Sequence, residues 1–135
     1  MYYKSKSVLN LKPINKEYEY IKNPDELYNI LKNCWSKETC APRMQDRWSM
    51  DNKTLGQCSI TAFLAQDIFG GDVYGIPLSD GNFHCFNLVN GIKFDLTSEQ
   101  FEYPLDYDDV VLQNRDDHFK KKEKYQRYLI LKNRI

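Results

Sequence analysis

Three side chains in this sequence could together activate a sulfur nucleophile: Cys58, His84 and Asp95. Cys58 opens a run that includes Ile60, Ala62, Phe63, Leu64, Ala65, Ile68 and Phe69 and stops at Gly70-Gly71. Such a run is apolar on most sides, which predicts a central, buried helix with Cys58 in its first turn. Unpaired amides and the positive end of the helix dipole favour a thiolate there, and a lowered pKa is what makes a cysteine nucleophilic. Gly56 ahead of it lets the backbone approach closely, and the local amides could hold an oxyanion.

His84 and Asp95 lie on two runs, 82–89 and 92–97, separated by Asn90-Gly91, a dipeptide that strongly favours a two-residue hairpin turn. With that turn Val89 faces Ile92, Leu88 faces Lys93, Asn87 faces Phe94 and Phe86 faces Asp95. His84 and Asp95 then share one face as diagonal neighbours, about 7–8 Å apart at the backbone. Cys85 points to the other face. An imidazole that takes the thiol proton and a carboxylate that fixes the imidazole's tautomer complete an activated nucleophile. Each residue alone also has a plainer reading: Cys58 as a buried structural thiol, His84 as a satisfied core histidine, Asp95 as an acceptor for a backbone amide. Their joint placement is what favours chemistry.

The elements that must position these groups are legible in part. Asn23-Pro24-Asp25-Glu26 combines a cap residue, a first-turn proline and a Glu placed to close a capping box. Leu27, Ile30, Leu31 and Cys34 follow at helical spacing, which makes Cys34 a small core residue. Residues 35–55 form a long irregular segment containing Trp35 and Trp48; both read as packing residues, and Trp48 is also a candidate to line a substrate groove. Gln57 is a candidate oxyanion donor. Cys40 reads as a loop thiol. Another strand is expected at 72–79, before Asp80-Gly81, and a final helix from about 116 to 133. Residues 1–22 show no clear period and read as an edge strand or a loose extension. The expected architecture is a single α+β domain over residues 1–135, a central nucleophile helix packed on a small antiparallel sheet with N- and C-terminal helices.

Composition narrows the function classes. The 135 residues carry 19 Lys+Arg against 19 Asp+Glu, so no net charge draws the chain to nucleic acid or anionic lipid. Residues 95–109 nevertheless hold six acids and no base, while residues 114–135 hold eight bases and three acids; these read as two solvated segments lying against each other. His118, beside Asp116 and Asp117, reads as solvated with them. No run reaches the ~20 apolar residues that cross a bilayer, and the start lacks a secretion signal; a cytoplasmic protein with reduced cysteines is the expectation. Cys34-x5-Cys40 and the adjacent His84-Cys85 lack the paired short spacings of zinc motifs, so no metal site and no organic cofactor is implied.

The stretch Trp48, Leu55-Gly56-Gln57-Cys58-Ser59-Ile60-Thr61-Ala62, Gln66-Asp67-Ile68-Phe69-Gly70-Gly71, His84, Asn87, Asp95-Leu96-Thr97 and Gln100-Phe101 resembles the YunG-like family of small bacterial proteins. Residues 35–101 carry the resemblance, with Arg127-Tyr128 and Leu131 near the end. It implies a papain-like cysteine fold with Cys58, His84 and Asp95 at the family's equivalent positions. The chain departs from the family in having Cys85-Phe86 after the His, where aromatics are commoner, and in its residues 1–22. The function expected is a thiol hydrolase or acyltransferase acting on an amide, thioester or isopeptide bond, in a protein, a peptide or a small molecule. A non-catalytic protein-interaction module on the same fold is the alternative.

Overall fold

A computed structural model describes residues 1–135. Helix α1 (Pro24–Leu31) starts as the cap residues dictate: the Asn23 side chain accepts from the Glu26 amide at 3.0 Å. Glu26, however, reaches back to the amide of Lys22 at 3.1 Å instead of that of Asn23, so the box closes one residue further upstream. Helix α2 (Cys58–Phe69) is the central element. Ile60, Leu64 and Ile68 join Leu27, Leu31, Trp35, Phe94 and Leu131 in the main core, while Ala62 and Phe63 meet Val73 and Cys85 in a smaller cluster.

The sheet that α2 covers contains β1 (Tyr3–Lys4), β2 (Asp72–Pro77), β3 (Phe83–Val89), β4 (Ile92–Asp95) and β5 (Val111–Leu112). All neighbours are antiparallel, in the order β1-β4-β3-β2-β5. Asn90 and Gly91 both have positive φ, 51° and 77°, as a type I′ turn demands. The turn sets the register at Asn87↔Phe94, Leu88↔Lys93 and Val89↔Ile92, the pairing read from the sequence. The protein is thus α+β around one antiparallel sheet.

Within residues 1–22 only Tyr3–Lys4 form an edge strand, and the rest packs onto the core as short 3-10 turns and connecting loops. Tyr3 pairs with Asp95, and Tyr2, Val8, Leu11, Tyr18 and Ile21 are buried. Strand β5 had no signal in the sequence, because two exposed residues carry no alternation. The expected C-terminal helix is two: α3 (Arg115–Phe119) and α4 (Lys122–Arg134), with Lys121 in extended conformation between them. The break lets Phe119 pack edge-on against Phe63 and Tyr125 and tilted against Tyr128, contacts that an uninterrupted helix would forgo. The acidic and basic segments do not pair. Asp108 takes Lys93, whereas Arg115 pairs with Asp67 and Arg134 with Glu38.

Candidate active site

Cys58 is the first residue of α2, preceded by Gln57 at the cap position. Gly56, at φ 71°, turns the chain into the helix. Its amide lies 3.4 Å from the Gln100 Oε1, and Gln100 in turn donates to the Thr97 carbonyl at 3.0 Å. One glutamine therefore couples the loop after Asp95 to the turn before Cys58.

His84 and Asp95 face each other from β3 and β4, with Nε2 2.6 Å from Oδ2 and both side chains 1% exposed. The carboxylate has further partners. Oδ1 accepts from the Thr97 amide at 3.2 Å and hydroxyl at 3.4 Å, and Oδ2 accepts from the Tyr107 hydroxyl at 2.7 Å. Phe101 stands edge-on to the imidazole at 4.7 Å. Asp95 is thus held by four donors, counting the ring, which give both oxygens of this buried side chain hydrogen-bond partners. With Nε2 committed to Asp95, the other ring nitrogen, Nδ1, is buried and has no hydrogen-bond partner. It is the nitrogen left for the thiol.

Cys58 and His84 open on one cleft of about 880 Å³, and the charge states of the two are linked. Cys58 is held well below the usual thiol range, first by hydrogen bonding from Cys85; burial opposes this and His84 adds to it. For His84, burial disfavours the charged ring, but the Asp95 carboxylate and then Cys58 outweigh it, and the imidazole is pushed up to about 10. Both shifts favour a thiolate–imidazolium pair, in which the proton already sits on the base.

Cys85 does point away from Asp95, as the strand alternation requires. The face it occupies is the one α2 covers, so it packs against Cys58. Gln57 and Trp48 lie elsewhere. The Gln57 side chain is fully buried and donates to the Ser36 carbonyl at 3.0 Å, away from the cleft wall. The Trp48 indole donates to the Lys53 carbonyl at 2.9 Å and does not line the cleft. Both corrections have one cause: backbone carbonyls of the irregular segment 35–55 take these donors.

His118 is not solvated with its acidic neighbours. It is half-buried against Phe63 and lines the cleft, with Nε2 2.8 Å from Gln113 Oε1 and Nδ1 2.9 Å from Lys124 Nζ. Burial, followed by the Lys124 charge, pushes His118 down to about 4. Tyr107, Gln100, His118 and Lys124 were not legible as site residues, since each arrives from a loop or helix whose packing has no local signature. No group of three or more His, Cys, Asp or Glu side chains is arranged to hold a metal, and no helix is long and apolar enough to cross a membrane.

The fold and site define an α+β protein with a cysteine at a helix start facing a carboxylate-bound histidine on an antiparallel hairpin. The chain belongs to the YunG protein family, which it matches over residues 23–135. It is 36% identical over 81 residues to the "Uncharacterized protein YunG" of Bacillus subtilis (strain 168), a stretch covering 60% of this chain and 65% of that relative's length. No solved structure matches it.

Proposed function

We propose that this chain is a cysteine-dependent hydrolase or acyltransferase built on a papain-like layout, with a Cys58–His84–Asp95 triad. The observation that carries the reading is the His84 ring, fixed by Asp95 at Nε2 and free at Nδ1, in the wall of a cleft that Cys58 also lines. Cys58 Sγ attacks the carbonyl carbon of an amide, thioester or isopeptide. The carbonyl oxygen takes the electron pair within reach of amides in the first turn of α2, where intrahelical acceptors are lacking. Collapse of the tetrahedral adduct breaks the bond to the leaving nitrogen or sulfur, which collects the proton from His84. The resulting thioester on Cys58 is cleared by water in a hydrolase or by an amine in a transferase, with His84 now accepting the proton. Asp95 holds the imidazole in the tautomer with its hydrogen on Nε2 and stabilises the imidazolium.

Alkylation of the native protein by iodoacetamide at about pH 6, mapped by mass spectrometry, tests this reading, because only a thiol of depressed pKa reacts fast there. Preferential labelling of Cys58, lost in His84→Ala, supports the enzyme. Equal labelling of Cys34, Cys40, Cys58 and Cys85 supports a non-catalytic interaction module.

A further inference from the structure

The cleft in front of Cys58 is cationic although the chain as a whole has no net charge. Arg43, Arg47, Lys121, Lys124 and Arg127 line it, against Asp80, Asp117 and Glu123. Each of those acids is already engaged: Asp80 with Arg43 at 3.6 Å, Glu123 with Arg127 at 2.8 Å, and Asp117 with Lys120 at 3.4 Å. Arg47, Lys121 and Lys124 have no carboxylate partner. Even with a Cys58 thiolate, a His84 imidazolium and an Asp95 carboxylate counted together as one negative charge, the excess is positive.

Lys124 is the most telling of the three. It is half-buried, and its ammonium donates to His118 Nδ1. That leaves Nε2–H of His118 to donate to Gln113 Oε1, so the histidine is neutral and cannot balance the charge. Burial and the neighbouring Lys121 hold the ammonium below its usual range. A partly desolvated cation whose hydrogen-bond partner is neutral gains most from an arriving anion. Arg127 ties α4 to the Thr39 carbonyl at 3.1 Å, three residues ahead of the Pro42–Arg47 turn, and Arg47 and the start of α4 line the same cleft.

We infer that the acyl substrate is anionic, carrying a carboxylate that Lys124, Lys121 and Arg47 receive beside the scissile carbonyl. This rests on Cys58 being the nucleophile, and the test separates the two claims. Iodoacetate carries a carboxylate where iodoacetamide carries a neutral amide of similar size, so the ratio of their rates at Cys58, set against that of a free thiol, reports the cleft's charge and cancels changes in thiol ionisation. The ratio should exceed that of a free N-acetylcysteine amide by about tenfold at low salt and collapse toward it in molar salt, where charges are screened. Lys121→Gln/Lys124→Gln and, separately, the exposed Arg47→Gln should each lower it several-fold; the second variant stands in if the first misfolds. N-acetylglutamate should slow iodoacetate labelling more than inorganic phosphate at equal ionic strength. A ratio equal to that of the free thiol, with Cys58 still selectively labelled by iodoacetamide, overturns the anionic substrate and leaves the nucleophile standing. Stronger protection by phosphate overturns the carboxylate. No selective labelling of Cys58 by either reagent removes both claims.

Discussion

Replacing Asp95 by Asn tests the site at its most buried point. The substitution keeps shape but puts an amide NH2 where one carboxylate oxygen stood. If that NH2 faces the imidazole, it forces the hydrogen from Nε2 to Nδ1, and Nδ1 can no longer take the thiol proton. If it faces the other way, it meets the Thr97 amide, another donor. Either way the His84 shift loses its main support. The rise from 6.5 to about 10 corresponds to about 5 kcal/mol at about 1.4 kcal/mol per pH unit, with Cys58 supplying part of it. Without an imidazolium beside it, the thiol loses one of the two groups that lower it and rises, while the Cys85 hydrogen bond, the larger cause, remains. A more basic thiolate is intrinsically more nucleophilic, which returns part of the loss. The iodoacetamide rate at Cys58 should therefore fall by about tenfold near pH 6 and recover as the pH rises. Urea unfolding should show a cost of about 3 kcal/mol for the disturbed buried network. A folded Asp95→Asn protein alkylated within about threefold of wild type at pH 6 would refute the reasoning that Asp95 sets the charge of the pair.

Cys85→Ala removes the hydrogen bond that does most to lower Cys58, so the midpoint of the alkylation profile should rise by about one pH unit; an unmoved midpoint would show that His84 suffices. Gly56→Ala puts a methyl group 2.5 Å from Cys40 Sγ and 3.0 Å from the Ala41 amide at a φ of 71°. It should cost about 2–3 kcal/mol in urea unfolding, and a loss under about 0.5 kcal/mol would contradict the turn geometry. The dependence of stability on pH has a definite sign. His84 is raised on folding, so its contribution is complete below 6.5 and lost as pH rises through about 10. Cys58 is lowered, so its contribution is present above the ordinary value of 9.0 and lost as pH falls through the folded one. Together they give a plateau from about pH 6.5 to 9 that declines on both sides. Cys58→Ala, itself destabilised by no more than about 1–2 kcal/mol, should replace the plateau with a steady decline above pH 6.5; an identical plateau in both proteins would rule out the ion pair.

Much of the scaffold is written locally. Asn23 and Pro24 begin α1, an apolar run flanked by Gly56 and Gly70 marks the central helix, and Asn90-Gly91 dictates the hairpin register that the protein adopts. These signals are legible because caps, turns and side-chain periodicity act over a few residues. Register also brings His84 and Asp95 to the same face, since strand alternation leaves no freedom once the turn is set. Cys85 shows where that logic stops. Alternation gave its face correctly, but nothing local says that α2 lies across that face with Cys58 above it.

What the order of residues determined, then, is which elements exist and which side chains share a strand face or a helix end, because those choices are made by neighbours in the chain. The tertiary structure alone decided that Tyr107 and Thr97 would hold Asp95, that Gln57 and Trp48 would turn to backbone carbonyls, and that His118 and Lys124 would enter the cleft. Those placements come from non-local packing, above all the break between α3 and α4 that sets Phe119 against Phe63 and Tyr128 and leaves basic residues of α4 lining the cleft that holds Cys58. Burial energy of that kind depends on surfaces far apart in sequence, and no short pattern encodes it.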